Sequence, residues 1–179
     1  MESKSKLLRC CEGKAAAWIA VAAAALIAAM LWFHFFYYSD RLGPAQPIPF
    51  SHRVHAGDKG IGCLVCHEGA ASGPRAGVPP LETCMLCHER IIITHPEIRK
   101  LTQHYREGKP LEWVQVYDVP EFVHFNHEMH VRRQVDCGAC HGDVRGMDRL
   151  TQEHEFNMGF CVQCHRDNGV SHDCLICHR

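Results

Sequence analysis

Ten of the twelve cysteines in this 179-residue chain stand in pairs with two residues between them, and a histidine follows each pair at once: Cys63-Cys66-His67, Cys84-Cys87-His88, Cys137-Cys140-His141, Cys161-Cys164-His165 and Cys174-Cys177-His178. Thiols at this spacing can bind zinc, exchange disulfides or anchor a haem. With 15 His in 179 residues, chance would put one after all five pairs roughly a few times in a million. The histidine therefore belongs to the chemistry. A zinc ribbon converges two pairs on one ion, has no role for a His beside the second Cys, and cannot match five pairs evenly. A thioredoxin-like pair needs a strand-to-helix setting and normally occurs once. Haem accounts for every position, because both thiols add to the vinyl groups and the adjacent imidazole donates a nitrogen to the iron. The motifs read as five covalently bound haem c groups.

Each iron has a second axial position. Leaving out His34, nine other histidines can supply it: His52, His55, His95, His104, His124, His127, His130, His154 and His172. The stretches "FSHRVH" (50–55) and "FNHEMH" (125–130) share the pattern Phe-x-His-x-x-His, and each shortly precedes a motif. Two His three apart on a helical turn point to the same side. One can serve the local haem and the other a neighbour, so His52, His55, His127 and His130 are the expected ligands. The fifth position is open between Met158 or Met147, whose thioether would raise the potential, and His124, His154 or His172. A buried packing role is the plain alternative for either Met. With every iron saturated, nitrite, hydroxylamine and oxygen have nowhere to bind, and the chemistry left is electron transfer.

Several elements must position these groups. Residues 15–38, "AAAWIAVAAAALIAAMLWFHFFYY", would form a helix of about 36 Å against a hydrocarbon layer of about 30 Å. Lys4, Lys6, Arg9 and Lys14 before it place residues 1–14 in the cytoplasm, and Trp32, Phe33, Phe35, Phe36, Tyr37 and Tyr38 would form the outer aromatic belt. The run is too long, and too bulky at its end, for a cleaved signal. Cys10 and Cys11 precede it and read as free cytosolic thiols. His34, near its outer end, reads as reaching the headgroup layer. Residues 39–49 carry the Pro-rich linker "GPAQPIP", and residues 50–179 the haem domain, outside the cytoplasmic membrane.

From Phe50 to His178 the chain offers about 26 residues per haem, too few for five separate pockets. The expected fold is therefore mostly short α-helices and loops wrapped around the macrocycles, with little β-structure. "PEIRKLTQHYREG" reads as a helix from Pro96 to Gly108, and "LEWVQVYDV" as a brief strand. The formal net charge is −1, and propionates would add on the order of ten negative charges. That leaves no nucleic-acid footprint. Arg132, Arg133, Arg166 and Arg179 lie near motifs and are the nearest propionate partners in sequence.

The stretches "FSHRVHAGDKGIGCLVCH", "PPLETCMLCH", "GKPLEWVQVYDVPEFVHFNHEMHV", "VDCGACHG" and "NMGFCVQCHR" resemble, in that order, the pentahaem cytochrome subunit of bacterial alternative complex III, a quinol:electron acceptor oxidoreductase. The resemblance runs from Phe50 to Arg166. It implies the two Phe-x-His-x-x-His ligand pairs and favours Met158, in its Met-Gly-Phe-Cys setting, as the fifth distal ligand. It also implies partner subunits: an iron–sulfur/molybdopterin-like protein, polysulfide-reductase-like membrane proteins and a mono-haem cytochrome. The acceptor would be a periplasmic soluble cytochrome c or blue copper protein. A single span with one intramembrane His has no b-haem site and no evident quinone pocket, so the chain is expected to need such partners and not to be catalytic alone. The alternative is a self-sufficient membrane-anchored quinol dehydrogenase feeding a periplasmic reductase.

Overall fold

The computed structural model describes residues 2–38 and 43–178, with side chains over 14–36 and 43–178. The basic side chains before Lys14, the thiols of Cys10 and Cys11, the rings of Tyr37 and Tyr38, and Arg179 lie outside the described residues. The chain divides into two units, Met1–Leu42 and Gly43–Arg179.

The first unit is one helix. α1 (Glu2–Trp32) runs through an alanine-rich stretch and continues as a π-helical segment, Phe33–Tyr38. Alanine is the best helix former, and the run from Ala15 onward contains neither Gly nor Pro. Within it Lys14–Phe36 is long and apolar enough to cross a membrane, which gives the chain a single-pass anchor. Trp32 and Phe36, one turn apart, stack at 6.2 Å between ring centroids.

The second unit is built from short helices joined by irregular chain, and its described residues contain no strand. In order come a π-helical turn (Arg53–Asp58), α2 (Cys63–Cys66), α3 (Gly69–Ser72), α4 (Leu81–His88), α5 (Pro96–Glu107), α6 (His127–Arg132), α7 (Gly138–His141), a 3₁₀ turn (Val144–Gly146), α8 (Met158–Asp167) and α9 (Cys174–Cys177). α5 follows the sequence closely. Pro96 opens it where a missing N–H costs nothing, His95 accepts from the Glu97 N–H, and Gly108 ends it at φ 62° with its own N–H returned to the last turn. Its buried face, Ile98 and Leu101, packs with Ile48, Met85 and Leu111 into a small core flanked by Leu81, Cys84, Tyr105 and Trp113. Met85 lies inside the second motif, so this core seats that motif directly.

The brief strand expected over "LEWVQVYDV" does not form. Both backbone polar groups of Val114 are instead satisfied by the amide of Gln46, which accepts from the Val114 N–H and donates to its C=O, each at 2.8 Å. A single side chain thus replaces the strand partner that a ladder would need. The same contact, with Ile48 buried in the core and Lys100 donating to the Pro47 carbonyl, ties residues 46–48 onto the second unit.

Candidate haem sites

Each Cys-x-x-Cys-His sequence forms one tight turn. The His67 N–H donates to the Cys63 carbonyl, His141 to Cys137 and His178 to Cys174, each at 2.9 Å, while His88 and His165 continue the helices α4 and α8. Cysteines three apart on such a turn share a face, which suits two thioether bonds to one planar ring. Side-chain oxygens cap three of these turns: Asp136 accepts from Gly138, Asn157 from Phe160 and Asp173 from Leu175. None of the ten cysteines forms a disulfide. Burial, first of all, pushes the thiols of Cys66, Cys84, Cys137, Cys140 and Cys161 up.

The histidines meet in twos. His52 stands over His67 with ring centroids 6.4 Å apart and planes within 12°. His127 stands over His141 at 6.3 Å and 6°. His55 faces His88 at 6.1 Å, and His130 faces His165 at 6.1 Å. A metal–imidazole bond is about 2 Å and the ring centroid lies about 1 Å further on, so two imidazoles on opposite sides of one ion sit about 6 Å apart. All four pairs have that separation, and each joins a motif histidine to one from a Phe-x-His-x-x-His stretch. In both stretches the Phe meets the first His edge-on and stacks on the second: Phe50 at 4.9 Å and 4.3 Å, Phe125 at 4.7 Å and 4.7 Å. The two copies differ in backbone, since the first enters a π-helical turn and the second is α6, capped by Asn126.

A ligand imidazole must keep one nitrogen bare. For six of these eight rings, a peptide carbonyl lies against Nδ1: Ser51 for His55, Gly77 for His67, Ile91 for His88, Pro74 for His127, Asn126 for His130 and Ser171 for His165, at 2.6–3.4 Å. A carbonyl only accepts, so Nδ1 carries the proton and Nε2 keeps its lone pair. Burial disfavours the charged form of the other two rings, His52 and His141. Burial, followed by the neighbouring imidazoles of His67 and His55, lowers His52 to about 4, and burial with His127 and His67 lowers His141.

The fifth site is built differently. The ring stacked on His178 is that of Phe122, at 5.8 Å. Met158 opens α8 and is 70 % exposed, Met147 accepts a long contact from the Thr151 hydroxyl at 3.9 Å, and His154 stacks on Phe160. The His124 N–H donates to the Cys177 carbonyl at 2.8 Å, and His172 lies 3.5 Å from the Val170 carbonyl. Of the nearby arginines, Arg132 pairs with Glu128 at 2.7 Å.

Tyr117 escaped the sequence reading. Its ring meets His141 edge-on at 4.5 Å, and its hydroxyl lies 3.0 Å from the His141 carbonyl and 2.9 Å from that of Thr151, donating to one at a time. It seats the third motif from the segment misread as a strand. The only signal in sequence was that this segment lies within the family resemblance.

Helices and loops threaded with Cys-x-x-Cys-His turns and opposed imidazoles define a multihaem cytochrome c carrying covalently bound haem. No family model matches the chain. It is similar to the multiheme cytochrome c subunit of menaquinone reductase from Nitratidesulfovibrio vulgaris (strain Hildenborough), 29% identical over 199 residues, spanning 96% of this chain and 93% of that protein.

Proposed function

We propose that this chain is a membrane-anchored pentahaem cytochrome c that carries electrons between a quinol-oxidising membrane complex and an acceptor outside the membrane. The observation that carries the reading is the set of four imidazole pairs at 6.1–6.4 Å. Both axial positions of each ion would be filled by the protein, which suits electron transfer and leaves no place for substrate. Cys63, Cys66, His67 and His52 would hold the first haem; Cys84, Cys87, His88 and His55 the second; Cys137, Cys140, His141 and His127 the third; Cys161, Cys164, His165 and His130 the fourth. Cys174, Cys177 and His178 would hold the fifth, with Met158 as its sixth ligand. Bound there, haem supplies reversible one-electron chemistry. The protein's part is to set the tautomers of the ligand imidazoles through their Nδ1–carbonyl bonds.

The resemblance to the pentahaem subunit of alternative complex III supports quinol as the donor. It also supports an N-terminus in the cytoplasm, a haem domain on the periplasmic side, and the iron–sulfur/molybdopterin-like, polysulfide-reductase-like and mono-haem partners. The relative in Nitratidesulfovibrio supports a quinone-linked membrane complex and favours a second reading, in which electrons run inward, from an external donor to menaquinone. One experiment separates them. The purified complex, kept anaerobic, is mixed with a menaquinol analogue while the haem α-band is followed. Rapid reduction that a reoxidised external acceptor reverses is the expected result. Haems that quinol leaves oxidised, but that a reduced external donor fills and menaquinone empties, would establish the inward direction. Rapid reduction of the isolated chain by quinol would favour the self-sufficient dehydrogenase.

A further inference from the structure

His52 and His55 share one turn yet face His67 and His88, which yokes the first and second sites. His127 and His130 share α6 yet face His141 and His165, yoking the third and fourth. Between these two couples runs a single loop. The Pro74 carbonyl accepts from His127 Nδ1 and the Gly77 carbonyl from His67 Nδ1, both at 2.8 Å. Four residues of main chain, Pro74 to Gly77, therefore hold one ligand of the third site and one of the first. The loop is fixed to α6 a second time, where Gly73 accepts from the Glu128 N–H and Pro74 from that of His127. At the far side, residues 168–173 alone join α8 to α9, and the Cys177 carbonyl accepts from the His124 N–H, three residues before the turn that presents His127.

We propose that the haem sites form one unbranched row in the order second, first, third, fourth, fifth, with the loop over residues 73–77 as the brace at its middle. The second and fifth sites are the ends, and partner proteins exchange electrons with the chain there. The row rests on the five-haem reading above. It makes the molecule two similar couples joined head to head, with the fifth site appended to one of them.

Neighbouring ferric low-spin irons broaden each other's electron paramagnetic resonance signals. His52→Met, His55→Met, His127→Met and His130→Met each exchange an imidazole for a thioether, which raises that site's potential. At a poise where the altered site joins the Met158-ligated fifth site in the reduced, diamagnetic state, only the oxidised neighbours of the altered site sharpen relative to the wild type at the same poise. His52→Met and His127→Met should each sharpen two signals, and His55→Met and His130→Met one each. Two sharpened signals in His55→Met, or one in His52→Met, would overturn the row. If the variants fail to assemble, the fully reduced wild-type protein is diamagnetic and gives through-space contacts between haem methyls. Contacts of the second site with the first only, and of the first with the third, are expected; a contact of the second with the third or fourth overturns the order. A pyridine assay on the same wild-type sample keeps the two claims apart. Fewer than five haems overturns the five-haem reading and the row with it, while five haems with the wrong neighbours overturns the row alone.

Discussion

Gly69→Ala tests whether the loop over 73–77 is held as tightly as its hydrogen bonds indicate. Gly69 opens α3, and a Cβ there would stand 2.7 Å from the Arg75 carbonyl oxygen and 2.8 Å from that of Ala76. Ordinary contact begins near 3.4 Å, so the loop must retreat by about 0.7 Å. The bonds that pin His67 and His127, both 2.8 Å, would open toward 3.5 Å, where they cease to count. Overpacking costs about 1–3 kcal/mol and each lost hydrogen bond about 0.5–1.5 kcal/mol. The ordinary gain from replacing Gly by Ala in a helix, about 0.5–1 kcal/mol, offsets part of this. A net loss of about 2–4 kcal/mol remains, or roughly 5–15 °C in Tm for a chain of this size. Calorimetry of the haem-loaded protein measures it. The control is Gly62→Ala, at an extended position where nothing lies within 4 Å, which should unfold with the wild type. Resonance signals of the first and third sites should shift in Gly69→Ala while the other three hold. A variant that melts within about 1 °C of wild type, with unmoved signals, refutes the reasoning.

Three further outcomes are expected. Tyr117→Phe keeps the ring against His141 but removes the hydroxyl from two carbonyls, and should cost about 1 kcal/mol in thermal unfolding. Tyr117→Leu should in addition broaden the resonance signal of the third site, and an unchanged signal would remove Tyr117 from its seat. Asn157→Ala deletes the cap of α8, whose bond to Phe160 is 2.9 Å, and should cost about 0.5–2 kcal/mol with an unaltered visible spectrum. Met158→His should pull one high-potential step of a redox titration down to the bis-imidazole group; a titration identical to wild type would exclude Met158 as a ligand.

Much of the site was legible because its logic is local. A Cys-x-x-Cys-His turn spans five residues, and a His-x-x-His pair spans one helical turn, so spacing alone predicts which side chains share a face. α5 was equally readable, since Pro96 and Gly108 mark its ends with backbone chemistry that few other residues can supply. What could not be read depends on distant contacts. Residues 111–119 have the composition of a strand, but whether they pair is decided by what lies beside them, and Gln46 arrives there from 68 residues away. Tyr117 looked like one more strand aromatic for the same reason. The Pro74 and Gly77 carbonyls were invisible altogether, because Gly and Pro announce a loop without saying which way its peptide oxygens point. The segment 46–48 reads as spacer, and only the fold reveals Ile48 inside the core.

The peptide oxygens that set six of the eight tautomers belong to no side chain, so point substitution cannot delete them. Arg75 or Ala76 can be exchanged without touching the bonds that their neighbours make, provided the path of the main chain survives. Insertions and deletions are a different matter, for one residue gained or lost between Pro74 and Gly77 would turn an oxygen away from an imidazole. Drift in this protein should therefore be lenient in letters and strict in loop length, and variants selected for function would be recognised by where their gaps do not fall.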